Sequence, residues 1–164
     1  MTDVELVLSK IKMYQNHPVP GQLFADIFPV FRDPIAVEAV ISHFVNRFNT
    51  SYSLSQICAV VCLEARGFFF GPLVASRLNL PCIPVRKGAK LPGDVVSVNY
   101  QKEYGLDVFE MKTDAFEGVD CQGKQVLLLD DFLGKGGSII AAKNLVSMLG
   151  MQVAEAYFVF DVSA

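Results

Sequence analysis

Asp130 and Asp131 stand side by side directly after four apolar residues, and the chain then runs Phe-Leu-Gly-Lys-Gly-Gly-Ser into a helical pattern. A buried strand ending in two adjacent carboxylates brings repelling charges together, so the pair needs solvent, a metal or hydroxyl donors. Vicinal ribose hydroxyls are one such partner. Gly134, Gly136 and Gly137 let the backbone fold around a small anion, and the N–H groups that open the following helix point at it. Ser138 adds a hydroxyl and Lys135 a positive charge. As structure alone, the same residues make a solvated turn with a Ser N-cap. The leading glycine of a Walker loop is missing, which excludes that motif.

Other segments carry chemistry of the same kind. Glu64-Ala65-Arg66-Gly67 follows an apolar run and offers backbone N–H groups with a guanidinium, a good clamp for a diphosphate; the plain alternative is Arg66 paired with Glu64 at the surface. Arg86, Lys87 and Lys90 place three cations within five residues, with Gly88 and Gly93 beside them. By composition alone that stretch is a solvated loop. Phe24 suits stacking on a flat base or simple burial. Gln101, Lys102 and Glu103 have the character of an ordinary hairpin tip.

Several elements must position these residues. Val4, Val7, Leu8 and Ile11 predict a helix over 3–14. Asp33-Pro34 opens a second helix, which buries Val37, Val40, Ile41, Phe44, Val45 and Phe48. Ile57–Leu63, Cys82–Val85, Gln125–Leu129 and Val153–Phe160 read as strands, with helices at 71–78 and 138–149 between them. Residues 95–100 and 106–111 alternate as a hairpin. Apolar strands separated by helices predict a single α/β domain over 1–164 with a mainly parallel central sheet. In such sheets ligands lie beyond the carboxyl ends of the strands, which points to the loops that follow those strands.

Composition bounds the class. With 164 residues, 52% of them hydrophobic, the chain is long enough to bury a core without staples. A net charge of −3 does not suit a nucleic-acid binder or a membrane-surface protein. No apolar run is long enough to span a bilayer and the N-terminus lacks a signal pattern, so a cytoplasmic location is expected. Cys58, Cys62, Cys82 and Cys121 are expected to be buried reduced thiols.

The hydrophobic run, the two acids and the Gly-rich turn resemble the phosphoribosyl-diphosphate (PRPP) motif of type I phosphoribosyltransferases. HPVPGQLFADIFPVFRDP is similar to the amino-terminal hood of adenine phosphoribosyltransferases, LEARGFFFGP (63–72) to their pyrophosphate loop, RKGAKLPG (86–93) to their basic loop, and YQKEYG (100–105) to their mobile catalytic loop. These matches stand in the family's order. The resemblance implies a hood over about 1–33, a core over 34–164 and a mobile loop over about 95–110. Asp130 and Asp131 would then bind the ribose, and Leu133, Gly134, Lys135, Gly136, Gly137 and Ser138 the 5′-phosphate. Ala65, Arg66, Lys87 and Lys90 would bind pyrophosphate, and Leu23, Phe24 and Ala25 adenine, through the Phe24 ring and the flanking backbone. Glu103 would hold or move a proton near the base, Tyr104 would cover the site, and Arg66 would steady the leaving group. A cis peptide is implied at Glu64–Ala65 or Ala65–Arg66.

The implied activity joins adenine to PRPP, with Mg²⁺ carried mainly on substrate oxygens, giving AMP and pyrophosphate in a homodimer. Two departures stand out. Lys135 replaces a usual threonine in the phosphate loop. The family's pattern also continues with a helix and strand beyond the segment that here reaches Ala164. These features leave open a regulatory paralogue that binds PRPP or nucleotide with little catalysis.

Overall fold

The computed structural model describes residues 1–102 and 105–161. The chain divides into two compact units, residues 1–47 and 48–164. The first opens with α1 (Asp3–Lys10), held by a reciprocal cap. The Glu5 N–H donates to Thr2 Oγ1 at 3.2 Å, and the Thr2 N–H donates to Glu5 Oε2 at 2.7 Å. The helix ends earlier than its apolar spacing predicts, because residues 12–15 pair instead with a later segment. That pairing joins β1 (Lys12–Gln15) to β2 (Leu23–Asp26) in an antiparallel ribbon. A 3₁₀ turn (Phe28–Arg32) follows, and Asp33 then opens α2 (Pro34–Ser51) by accepting the Ile35 N–H at 3.0 Å. Along α2, Val40, Ile41, Phe44 and Phe48 are buried as expected; Val37 and Val45 are half-buried, and Ala36 and Ala39 join the buried set.

The second unit is built on a six-stranded sheet. Its strands are β3 (Ile57–Leu63), β4 (Cys82–Lys87), β5 (Val95–Lys102), β6 (Gly105–Lys112), β7 (Gln125–Leu129) and β9 (Val153–Tyr157), in the order β5-β6-β4-β3-β7-β9. The β4-β3-β7-β9 portion is parallel. The β5-β6 hairpin attaches antiparallel to β4 through Arg86↔Glu110 and Lys87↔Phe109. Every residue of β3 is buried, as an apolar run in the middle of a parallel sheet must be. Val61, Leu63, Val85, Phe109, Met111, Val126 and Leu128 form the core, with Ala141, Ala142, Leu145 and Val146 of α4 (Gly137–Met148) packed on it.

Two elements of the second unit also differ from their sequence expectation. The helix expected from Gly71 is α3 (Gly67–Leu78), which starts a turn earlier and carries Pro72 inside it; that proline cannot donate to the Phe68 carbonyl. The predicted strand 153–160 is divided: β9 stops at Tyr157, and β10 (Phe160–Asp161) pairs in parallel with β8 (Phe132–Leu133) in a separate two-stranded sheet. Among the described residues no helix is long and apolar enough to cross a membrane. All four cysteines are free thiols, Cys58 and Cys62 buried and the other two half-buried.

Candidate active site

Because β3, β4 and β7 run parallel, their carboxyl ends fall on one edge of the sheet and deliver Glu64–Arg66, Lys87–Lys90 and Asp130–Asp131 there. The central pair is tightly set. The Asp130 N–H donates to the Tyr157 carbonyl at 3.1 Å, and the Asp131 carbonyl accepts the Val159 and Phe160 N–H groups, each at 3.0 Å. Asp131 is 2% exposed and its N–H donates to Asp130 Oδ1 at 2.9 Å. Its own Oδ2 lies 3.0 Å from Arg66 Nε.

The two carboxyls are electrostatically unequal. Burial first, and then the neighbouring Asp131 charge, push Asp130 up to about 8. Burial also raises Asp131, but there the Arg66 guanidinium pulls the other way. Burial therefore favours a proton on the pair, while the Arg66 guanidinium favours the ionised form of Asp131.

The Asp130–Asp131 step and the Arg66 turn meet through a missing side chain. A Cβ at Gly67 would lie 2.7 Å from the Leu129 carbonyl oxygen and 3.3 Å from both Asp130 Cα and Asp130 Oδ1. Only glycine lets α3 begin against the end of β7, and that approach brings Arg66 to Asp131. The peptide between Glu64 and Ala65 is cis, the first of the two positions implied by the sequence. Glu64 does not pair with Arg66. It accepts Arg86 Nε at 3.2 Å and the Lys87 N–H at 2.8 Å. Burial works to raise the Glu64 carboxyl, but these donors outweigh it and hold the group below the usual carboxylate range. Arg86 Nη1 also donates to the Lys90 carbonyl at 3.1 Å, so Arg86 braces the basic loop. Lys87 is half-buried and Lys90 exposed.

The Gly-rich turn opens α4 as the sequence suggests. Gly136 is the N-cap residue at φ +81°, and no side chain caps the helix there. An α-helix cannot satisfy its first-turn N–H groups internally, and such groups suit a small anion. Ser138 is in that turn, Gly134 and Leu133 precede it, and Lys135 is exposed. A Cβ at Gly137 would come 3.0 Å from the Gln101 carbonyl oxygen, so the start of α4 rests on the backbone of β5.

In the first unit, Leu23, Phe24 and Ala25 all fall on β2. Leu23 is exposed, Ala25 buried, and the Phe24 ring meets His17 edge-on with centroids 4.9 Å apart. Glu103 and Tyr104 lie outside the described residues. Sequence reasoning missed Arg86 as a brace, Glu110 on β6 and the contact at Gly67. The Glu64 partner of Arg86, the Ala89 partner of Glu110 and the β7 neighbours of Gly67 lie 21 to 63 residues away and leave no local signal.

A model of the phosphoribosyl transferase domain matches residues 30–164. The adenine phosphoribosyltransferase of Yarrowia lipolytica is 38% identical over 154 residues, 94% of this chain and 82% of that protein. The Bos taurus adenine phosphoribosyltransferase is 36% identical over 162 residues, 99% of this chain and 87% of that one. A solved structure of the Saccharomyces cerevisiae adenine phosphoribosyltransferase, complexed with D-2,5-dideoxy-2,5-imino-altritol 1,6-bisphosphate and adenine, superposes with a TM-score of 0.89 at 36% identity, covering 98% of this chain and 89% of that one. The motif order, the strand-end carboxylates and these similarities agree: the chain belongs to the adenine phosphoribosyltransferase family.

Proposed function

We propose that this protein transfers the 5-phosphoribosyl group of PRPP to adenine, giving AMP and pyrophosphate in purine salvage. One observation carries the proposal: the Asp130–Asp131 pair stands between an uncapped glycine helix start and the Arg66 turn. That arrangement offers an acceptor pair for ribose hydroxyls with anion sites for a 5′-phosphate and a diphosphate. The relative complexed with adenine and a sugar-like bisphosphate supports the same substrate class.

In this reading Asp130 and Asp131 accept from the 2′- and 3′-hydroxyls and fix the ring. The amides of 134–138 and the Ser138 hydroxyl hold the 5′-phosphate. Arg66 turns from Asp131 to the diphosphate, joined by Lys87 and Lys90, as the bond from C1′ to the diphosphate oxygen breaks and adenine N9 forms the new bond. Leu23, Phe24 and Ala25 hold the base, Glu103 manages the base proton, and Tyr104 covers the site against water.

Mg²⁺ is proposed to arrive on the substrate. Among the described residues no three His, Cys, Asp or Glu side chains gather to hold a metal, and phosphate oxygens are the hard ligands it prefers. Bound there, it neutralises charge on the diphosphate. A cytoplasmic homodimer belongs to the same reading.

The test is AMP formation from labelled adenine with PRPP and Mg²⁺, with hypoxanthine and guanine in parallel. Turnover of adenine alone is expected, and no turnover with any base rejects the proposal. Glu103→Ala should lower kcat by about 10²–10³ while KM for PRPP changes little. Wild-type kcat in that variant would remove the proton role.

A further inference from the structure

The loop after β4 has a backbone that its sequence does not favour. Ala89 sits at φ +61°, in the left-handed region that a Cβ disfavours, although a glycine immediately precedes it. That glycine serves close approach: a Cβ at Gly88 would lie 3.2 Å from Val108 Cβ and 3.8 Å from Glu110 Oε1. Two bonds draw the loop against β6. The Gly88 N–H donates to the Val108 carbonyl at 2.9 Å, and the Ala89 N–H donates to Glu110 Oε2 at 3.0 Å. Across the hairpin, Ser97 Oγ donates to the other Glu110 oxygen at 3.4 Å. At the opposite end of the turn, Arg86 holds the Lys90 carbonyl.

A carboxylate beside a loop that receives an anion works against it by charge. The benefit of Glu110 must therefore be geometric. We propose that Glu110 is a positioning residue for the diphosphate site: it holds Ala89 in its left-handed turn and so fixes where Lys90, the next residue, presents its ammonium. Glu110 acts through the loop and does not touch substrate. The inference rests on the reading of residues 86–93 as a pyrophosphate loop, and adds to it a residue from the neighbouring hairpin.

The test is calorimetric binding of pyrophosphate with Mg²⁺, together with KM for PRPP and for adenine. Glu110→Ala should weaken pyrophosphate about tenfold and raise KM for PRPP similarly, while KM for adenine stays within about twofold. Glu110→Gln keeps an oxygen that accepts the Ala89 N–H and should recover most of the loss, a rescue that simple relief of repulsion would not produce. In an Ala89→Gly background, where the turn no longer opposes a Cβ, removing Glu110 should cost only about threefold; this also covers poor folding of the single variant. Unchanged or tighter pyrophosphate binding in Glu110→Ala overturns the proposal, as does a full tenfold loss in the Ala89→Gly background. Wild-type protein that neither binds pyrophosphate nor turns over adenine would overturn the functional reading itself, and the proposal with it.

Discussion

Asp130→Asn combined with Asp131→Asn is expected to abolish the protection that PRPP gives against thermal unfolding. A ligand at a hundred times its Kd contributes about 2.7 kcal/mol, which for a chain of this size raises Tm by about 5–10 °C. The double variant should show no such rise and should lose kcat/KM by about 10²–10⁴, the worth of two hydrogen bonds to charged acceptors. A PRPP-dependent rise equal to that of the wild type would show that these carboxylates are not the ribose site.

The same pair sets a pH dependence in the ligand-free protein. Asp130 titrates from 3.8 ordinarily and near 8 when folded, chiefly because it is buried and then because Asp131 is beside it. Between those values the folded chain keeps a proton that the unfolded chain has released. Its contribution to stability is therefore full below the unfolded value and is lost as pH rises through the folded one. Asp130→Asn should flatten that decline, measured as Tm against pH. Hydroxyl donors at the pair favour its ionised form, so PRPP binding near neutral pH should release a proton, read as a buffer-dependent binding enthalpy.

Gly67→Ala is the second large effect. Its new Cβ meets a backbone carbonyl at 2.7 Å, an obstacle with no rotamer to adopt, so α3 or the end of β7 must shift. The overpacking should destabilise the fold by about 3 kcal/mol. Gly71→Ala offers a comparison, since its Cβ would lie 2.5 Å from Cys62 Cβ in the interior of the unit. Both variants should lower Tm, but at a temperature where both remain folded only Gly67→Ala should lose about a hundredfold in kcat/KM, by displacing Arg66 and Asp130. Equal activity losses would mean that the glycine serves packing and not the site.

Much of this was legible from residue order because the relevant signals are local. Buried parallel strands are continuous apolar runs, and Gln125–Leu129 announces both its own burial and the carboxylates at its end. The glycines that open α4 have a meaning within a few residues. What escaped notice is non-local. Lys12–Gln15 continues a helical spacing and becomes a strand only because Leu23–Asp26 returns alongside it. Arg66 has Glu64 two residues away in sequence, yet the approach at Gly67 gives it Asp131, while Glu64 takes Arg86. Ala89 carries no mark of its left-handed backbone, which depends on a bond from β6.

The seat of Gly137 on the Gln101 carbonyl has a mechanical meaning. Most neighbouring elements in a protein touch through side chains, which rotate and absorb small displacements before passing them on. Here an added side chain would meet a backbone carbonyl, which has no rotamer to change. The helix end that would grip the 5′-phosphate and the strand leading to residues 103 and 104 thus form a joint without slack. A side chain at Gly137 would have to move the Gln101 carbonyl or the helix start by a few tenths of an ångström, a shift felt on both sides of the contact.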